Sequence, residues 1–186
     1  LDAVVPTFTA NLTSTVNLLT AATRVGCRRI VLAGSLEEPE ALTADDVPSS
    51  PYAASKWASS AYARMFWQLY ETPVTVARIF RVYGPQQRDT NKLSPYAIRS
   101  LLAGEPLRLS SGTRAVDWVF VEDVARGLLA LSRAQGVEGS SLDLGTGVLT
   151  SVREVVEQLA QLAGTAAPLQ FGALPDRPQE QVRRAD

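Results

Sequence analysis

The chain has 186 residues, 46% of them hydrophobic, and a formal net charge of −1, an ordinary composition for a globular protein of one or two domains. This balanced charge argues against nucleic acid or a membrane surface as the main partner, and no apolar run reaches the roughly 18 residues of a membrane span. There is no histidine, and Cys27 is the one cysteine. These counts exclude histidine-based metal and nucleophile sites and a disulfide framework, and they favour a cytoplasmic location.

Hydrophobic periodicity predicts helices that alternate with strands. In chain order the prediction is a helix at 7–24, a strand at 28–35, a helix at 51–71, a strand at 73–84, a helix at 94–103, two short strands within 106–121, a helix at 122–134, a strand at 140–147, a helix at 151–164 and a strand-like stretch in the tail. This alternation is typical of an α/β fold whose parallel sheet carries helices on both faces.

Several helix boundaries have their own signals. Pro51 suits the first position of a helix, with Ser49 or Ser50 as its cap, and Ser151 with Glu154 forms a capping box. Because ligands of parallel sheets lie at the carboxyl ends of the strands, we expect a site where the predicted strands end.

Tyr52 and Lys56 lie four residues apart at the start of the predicted helix 51–71. Side chains at this spacing share one helix face, with Cβ atoms about 5–6 Å apart. A tyrosine needs its pKa of about 10 lowered by roughly 3 units to exchange protons near neutrality, and a nearby ammonium supplies energy of that order. Ser35, at the end of the preceding strand, could donate a hydrogen bond to the same substrate oxygen. On the pattern alone, a surface lysine beside a helix-starting tyrosine is the favoured explanation, because this spacing often occurs by chance.

Seven segments change this balance: VLAGS, SPYAASKWASSAYARM, ARIFRVYGPQQ, VDWVFVEDVARGL, LDLGTG, SVREVVEQL and DRP. Together, in this order, they resemble the extended short-chain dehydrogenase/reductases, specifically the NAD-dependent epimerase/dehydratase family that acts on nucleotide sugars. The resemblance implies that Ser35, Tyr52 and Lys56 are the catalytic residues. Tyr52 would take a proton from a sugar hydroxyl, Lys56 would lower the tyrosine pKa and hold the nicotinamide ribose, and Ser35 would polarise the reacting oxygen.

The resemblance also implies the fold and the cofactor. It predicts a Rossmann-like, doubly wound parallel sheet with a small C-terminal substrate-binding α/β lobe, and NAD as the cofactor. The predicted cofactor contacts are Asn11, Tyr52, Lys56, Ile79 and Phe80. The glycine-rich turn and the residue that separates NAD from NADP belong to N-terminal βα units that this chain does not contain, so NADP stays open. Strand 28–35 should then be an apolar sheet edge, and we expect the isolated chain to bind NAD poorly and to associate.

The predicted substrate contacts depart from the family in several places. Arg81 and Lys92 each stand where the family commonly has Asn, and Leu36 stands before Glu37 where dehydratases have Asp. Simple oxidation and reduction at a ring carbon is therefore favoured over 4,6-dehydration. The family's arginine before Asp117 is a valine here, and Asp117 is predicted to be a structural hydrogen-bonding residue. The predicted substrate contacts are Glu37, Arg81, Lys92, Leu93, Arg114 and Arg177.

The predicted organisation follows from these assignments. Residues 1–84 would be the remainder of the dinucleotide-binding domain, and in 85–186 substrate-binding segments (85–120 and 165–186) would be interleaved with returning Rossmann elements (121–164). The predicted function is that of a nucleotide-sugar epimerase, or a related ketoreductase or dehydratase, acting at C4 of a hexose whose identity and nucleotide stay open.

Two other functions stay open: a reductase of a small non-sugar carbonyl, and a catalytically silent NAD(P)-binding sensor or scaffold. The family also implies a homodimer through the tyrosine-bearing helix. Tyr62, Phe66 and Tyr70 could lie in that interface, although core packing explains them equally well.

Overall fold

The helices and strands alternate along the chain as predicted. A computed structural model describes residues 1–39, 47–176 and 182–186. Its elements are α1 (Val4–Phe8), a π-helical segment (Thr9–Thr13), α2 (Ser14–Arg24), β1 (Ile30–Ser35), α3 (Pro51–Tyr70), β2 (Val74–Ile79), β3 (Arg81–Tyr83), α4 (Leu93–Ala103), β4 (Leu107–Arg108), β5 (Ala115–Phe120), α5 (Val121–Arg133), β6 (Ser141–Leu144), β7 (Leu149–Ser151), α6 (Val152–Ala163) and β8 (Leu169–Gln170).

The chain divides into two units. The first unit comprises residues 1–80 and 123–144, and the second comprises 81–122 and 145–186. None of the helices in the described ranges combines the length and the apolar character needed to cross a bilayer.

The first unit contains a parallel three-stranded sheet in the order β1-β2-β6. Ser35, the last residue of β1, pairs in register with Ile79, which pairs on its other side with Leu144. The three strands therefore end side by side, and β1 is an edge strand among the described residues, as the sequence predicted. An apolar cluster packs within this unit, formed by Leu19, Ile30, Ala63, Phe66, Val74 and Val76.

Helix α3 begins where its sequence signals predict. Ser50 adopts an extended conformation and its side chain accepts a hydrogen bond of 3.0 Å from the Ala53 N–H, while Pro51 occupies the first turn. The helix packs against β1 and β2. Its buried face consists mostly of small residues, which lets the helix backbone approach the sheet closely: Ala53, Ser55, Ser59, Ser60, Ala63 and Phe66.

The second unit has a sheet in the order β3-β5-β7 and a two-stranded sheet of β4 and β8. Helices α4 and α6 pack together around a core of Ala97, Leu101, Leu107, Leu109 and Val156. The capping box predicted at the start of α6 is present, since Ser151 Oγ accepts from the Glu154 N–H and Glu154 Oε2 accepts from the Ser151 N–H.

Asp117 is a buried structural carboxylate in the second unit, as predicted. It accepts hydrogen bonds from the Thr146 N–H at 2.8 Å, the Thr146 hydroxyl at 2.7 Å, the Gly147 N–H at 2.9 Å and the Ala185 N–H at 2.9 Å. Burial raises the pKa of this carboxyl, but the hydrogen bonds together outweigh burial and hold the pKa below its usual value. The ionised side chain thus ties the loop after β6 and the C-terminal residues to β5.

Three elements differ from the sequence-based prediction. The predicted strand 73–84 consists of two strands, because β2 ends at Ile79 in the first unit and β3 starts at Arg81 in the second. The short strand β7 was not predicted, and it pairs antiparallel with β5.

The third difference is the π-helical segment within the predicted helix 7–24. The Ser14 hydroxyl donates to the Ala10 carbonyl and, at 3.2 Å, to the Asn11 carbonyl. Hydroxyls that bond back to carbonyls one turn earlier compete with the backbone pattern and distort helices. Periodicity of apolar residues carries no signal for such a local change.

Candidate active site

The carboxyl end of β1 forms one side of the candidate site. Ser35 is 6% exposed, and its hydroxyl oxygen accepts a hydrogen bond of 3.2 Å from the Glu37 N–H. The backbone of Ser35 is held as well, because its N–H donates to Glu38 Oε1 at 2.7 Å and its carbonyl accepts from the Glu38 N–H at 3.1 Å. The turn that follows β1 thus fixes the conformation of this serine.

The first turns of α3 form the other side. Tyr52 is 41% exposed, and the Lys56 ammonium lies 5.8 Å from the centre of its ring. The same ammonium donates a hydrogen bond of 3.0 Å to the carbonyl of Ala33, two residues before Ser35 on β1. The structure therefore places Tyr52 and Lys56 together, and it anchors Lys56 on the strand that ends at Ser35.

The charge of Lys56 is set by two opposing effects. Burial of the side chain lowers the pKa of the ammonium below its ordinary value, because a low-polarity environment disfavours the charged form. The carboxylate of Glu38 raises the pKa and offsets part of this effect. Lys56 is thus a half-buried cation that interacts electrostatically with Glu38.

Asn11 links the π-helical segment to α3. Its Nδ2 donates to Ser55 Oγ at 2.9 Å, and that hydroxyl donates to the Tyr52 carbonyl at 2.8 Å. The chain of hydrogen bonds ends on the residue that carries the candidate phenol. Asn11, predicted as a cofactor contact, lies in the same unit as Tyr52 and braces the backbone there.

Glu38 is a residue of this site that the sequence analysis missed. It is 4% exposed, and burial raises the pKa of its carboxyl above the ordinary value. Four groups offset part of this effect: the Ser60 hydroxyl, the Ser35 N–H, Arg78 and Arg64. The available signal was a second glutamate directly after Glu37, which is exposed.

The other predicted contacts of the first unit lie at the end of β2. Ile79 pairs with Ser35, and its carbonyl accepts from the Leu36 N–H at 3.1 Å. Phe80 is buried, and its N–H donates to the Leu144 carbonyl at 3.1 Å. Both residues therefore lie at the carboxyl end of the sheet, next to the end of β1.

The remaining predicted substrate contacts belong to the second unit. Arg81 begins β3 opposite Trp118, and Arg114 is partly buried just before β5. Lys92 precedes α4, with its ammonium 4.0 Å from Asp89 Oδ2. Leu93 packs against the apolar core of this unit. Arg177 lies outside the described residues.

The parallel sheet and the polar groups at its strand ends define a Rossmann-type α/β protein. The sequence profile of the NAD dependent epimerase/dehydratase family matches residues 3–145. The chain belongs to this family, and the resemblance found in the sequence is confirmed.

The relatives of this chain include proteins with two different activities. A UDP-glucose 4-epimerase of Mycolicibacterium smegmatis is 35% identical over 176 residues, which cover 88% of this chain and 55% of that protein. A dTDP-glucose 4,6-dehydratase of Neisseria gonorrhoeae is 37% identical over 122 residues, covering 65% of this chain and 35% of that protein.

A solved structure shows the same fold. The UDP-glucose 4-epimerase of Thermus thermophilus in complex with NAD has a TM-score of 0.76 and 31% identity, covering 94% of this chain and 60% of the other. The chain spans about half the length of the curated 4-epimerases it matches.

Proposed function

We propose that the full-length protein is an NAD-dependent enzyme that oxidises and re-reduces a nucleotide sugar, as an epimerase or a closely related ketoreductase or dehydratase. The observation that carries this proposal is the position of the Lys56 ammonium, 5.8 Å from the Tyr52 ring and 3.0 Å from the Ala33 carbonyl. This position puts a cation beside a half-exposed phenol at the end of a parallel strand, where ligands of such sheets bind. The relatives that act on UDP- and dTDP-sugars support the substrate class.

Each residue of the site has its own role in the proposed reaction. Tyr52 takes the proton of the sugar hydroxyl, at C4 in our proposal, and returns it when the carbonyl is reduced. The Lys56 ammonium stabilises the phenolate, because an opposite charge nearby favours the ionised form of the phenol. Ser35 donates a hydrogen bond to the reacting oxygen. A bound NAD would supply the hydride acceptor for oxidation and the hydride donor for re-reduction.

The donors at the site fit a nicotinamide cofactor. A lysine ammonium has three N–H donors. One of them is engaged by the Ala33 carbonyl, so that the others can reach ribose hydroxyls. Asn11 holds the backbone of Tyr52 through Ser55, and Ile79 and Phe80 would line the nicotinamide end of the pocket.

The residues after Ser35 favour epimerisation over dehydration. Elimination of water from a hexose needs an acid and a base besides the tyrosine. Leu36 supplies neither, and the carboxylate of Glu38 is buried below the strand end rather than exposed as Glu37 is. Glu37 carries the one exposed carboxylate of this turn among the described residues, and we assign it to substrate contact.

Substrate contacts of the second unit complete the proposal. Arg81, Lys92 and Arg114 provide cationic groups suited to a nucleotide diphosphate. Leu93 and Arg177 are assigned to substrate contact as well. If these arginines served no diphosphate, a small non-sugar carbonyl would be the better substrate.

We propose that the enzyme is a cytoplasmic homodimer that pairs through α3. Tyr62 and Tyr70 are exposed on this helix and suit an interface. Phe66 is buried in the apolar cluster of the first unit, where it makes an edge-to-face contact with Tyr70 at 5.3 Å between ring centres. Core packing therefore explains Phe66.

The experiment is a substrate panel on the full-length protein. UDP-glucose, UDP-glucuronate and dTDP-glucose are each added to the NAD-loaded enzyme, and nicotinamide fluorescence and product chromatography are followed. Transient reduced cofactor with one of these sugars, followed by a C4-inverted product, is the expected result. Reduction of simple ketones with no response to any nucleotide sugar would favour the reductase, and no response to either class would favour a binding protein.

A further inference from the structure

Glu38 is a buried carboxylate next to the candidate catalytic residues, and no role has yet been given to it. A glutamate is almost never fully buried unless it is paired, because removing its charge from water is costly. Glu38 is nonetheless 4% exposed, and its Oε1 accepts the Ser35 N–H at 2.7 Å. Together with the bond from the Glu38 N–H to the Ser35 carbonyl, at 3.1 Å, it closes the turn directly below the serine.

The strand leaves space for this carboxylate. A Cβ atom at Gly34 would lie 2.7 Å from Glu38 Oε1 and 2.8 Å from Val76 Cγ1. Real Cβ atoms do not approach other atoms so closely, so the missing side chain at Gly34 lets the Glu38 side chain fold under β1. The buried Glu38 carboxylate and Gly34 are therefore neighbours at the end of β1.

The charges around Glu38 come from two elements. Arg78 of β2 and Arg64 of α3 lower the pKa of the Glu38 carboxyl, and Glu38 in turn raises the pKa of Lys56 on α3. Arg78 also pairs with Asp143 on β6, its Nε lying 2.6 Å from Asp143 Oδ1. Arg78 thus interacts with both carboxylates, and Lys56 is the α3 cation whose pKa Glu38 raises.

We propose that Glu38 is a positioning residue of the active site, which fixes the backbone of Ser35, two residues from the Ala33 carbonyl that holds Lys56, and supplies negative charge at this end of β1. The proposal rests on the proposed function, in which Lys56 must stay an ammonium to stabilise the Tyr52 phenolate. Burial alone would drive Lys56 toward the neutral amine, and Glu38 opposes this. When ionised, the Glu38 carboxylate therefore favours the ammonium form of Lys56.

Two variants separate the two roles. Glu38→Gln keeps an oxygen that can accept the Ser35 N–H but removes the charge, whereas Glu38→Met removes both at similar volume. Glu105→Gln, on an exposed side chain of the second unit, is the matched control for loss of one carboxylate.

The first readout is the titration of Lys56 itself, which needs no turnover. Full-length protein carrying lysine labelled with ¹³C at Cε is titrated by NMR, and the Lys56 signal is assigned by its loss in Lys56→Arg. In this chain Lys92 is the other lysine and serves as the internal reference. In Glu38→Gln the Lys56 signal is expected to titrate at lower pH than in the wild type, with Lys92 unmoved.

The second readout is turnover on the nucleotide sugar identified by the panel. The alkaline limb of the kcat/KM profile should move to lower pH in Glu38→Gln, and Glu38→Met should in addition lose about 10- to 100-fold in kcat because Ser35 is no longer held. An unchanged Lys56 titration in Glu38→Gln overturns the proposal. Wild-type protein that turns over no nucleotide sugar contradicts the proposed function instead, and the NMR result still decides whether Glu38 sets the charge of Lys56.

Discussion

The Lys56 ammonium lies 5.8 Å from the centre of the Tyr52 ring, one helical turn along α3. The Ala33 carbonyl holds this ammonium at 3.0 Å, so that the lysine joins the start of the helix to the end of β1. Ser35 ends that strand. Two neighbouring elements therefore position the three residues that we propose for proton transfer, charge stabilisation and hydrogen bonding to a substrate oxygen.

Replacing Lys56 tests the charge in this arrangement. Without the ammonium, the Tyr52 phenolate loses its stabilisation, so we expect Lys56→Met in the full-length enzyme to lower kcat by about 10²- to 10⁴-fold near neutrality. Part of the activity should return at higher pH, where the phenol ionises unaided. The measurement is kcat against pH, with Arg24→Met, on an exposed side chain of α2, as a control for loss of one cation. A loss that is the same at every pH would contradict the assigned role.

Replacing Glu38 should improve stability while it impairs the site. The folded-state pKa of this carboxyl is raised, so its contribution to stability is present below the ordinary pKa of about 4.3 and is lost as pH rises through the folded-state value. Glu38→Gln stays neutral and avoids this loss. We expect it to unfold at higher urea than the wild type at pH 7, by on the order of 1 kcal/mol, with the difference vanishing near pH 4.

The control for this comparison is Glu105→Gln, which should match the wild type at both pH values. A variant at Glu38 that is less stable than the wild type at pH 7 would show that the ionised carboxylate stabilises the fold. A stabilised variant with an altered Lys56 titration fits a residue that is kept for function at the expense of stability.

Asp117 should show the opposite pH dependence. Its folded-state pKa is lowered, so its stabilisation is present above the ordinary pKa of about 3.9 and is lost as pH falls through the lower folded-state value. Asp117→Asn replaces one accepting oxygen by an N–H₂ group that faces backbone donors. We expect a loss of about 3 kcal/mol at pH 7 and a smaller loss in acid.

Urea denaturation at several pH values measures this effect. Asp123→Asn is the matched control, because Asp123 is exposed and pairs at 2.8 Å with Arg126 one turn away, and such surface pairs contribute about 0.3–0.5 kcal/mol. Equal losses for the two variants would contradict the structural role of Asp117.

The isolated 186-residue chain should associate through an open strand edge. Among the described residues β1 pairs on one side, with β2. We therefore expect concentration-dependent association in sedimentation velocity. A chain that stays monomeric at every concentration would refute the expectation.

Local signals predicted much of what positions the site. Pro51 and Ser50 set the start of α3, and the four-residue spacing of Tyr52 and Lys56 put both side chains on one face. The strand at 28–35 was predicted from its branched residues, and its last residue is Ser35 in the structure as well. These features depend on neighbours within a few positions, which the sequence displays directly.

Other features depend on tertiary contacts that no local pattern contains. Glu37 and Glu38 are adjacent and chemically identical, and the turn after β1 decides that Glu38 is the buried one. β7 is three residues long and forms only because β5 lies beside it, so its sequence carries no period to detect. Phe66 likewise could not be assigned to the core or to an interface until the packing of α3 was known.

The most direct test of the proposed mechanism is turnover by Tyr52→Phe in the full-length protein, compared with Tyr62→Phe, which removes an exposed hydroxyl ten residues along the same helix. Loss of the general acid–base should lower kcat by about 10²- to 10⁴-fold while NAD remains bound, and Tyr62→Phe should match the wild type. Undiminished turnover by Tyr52→Phe on a nucleotide sugar would contradict proton transfer by this residue.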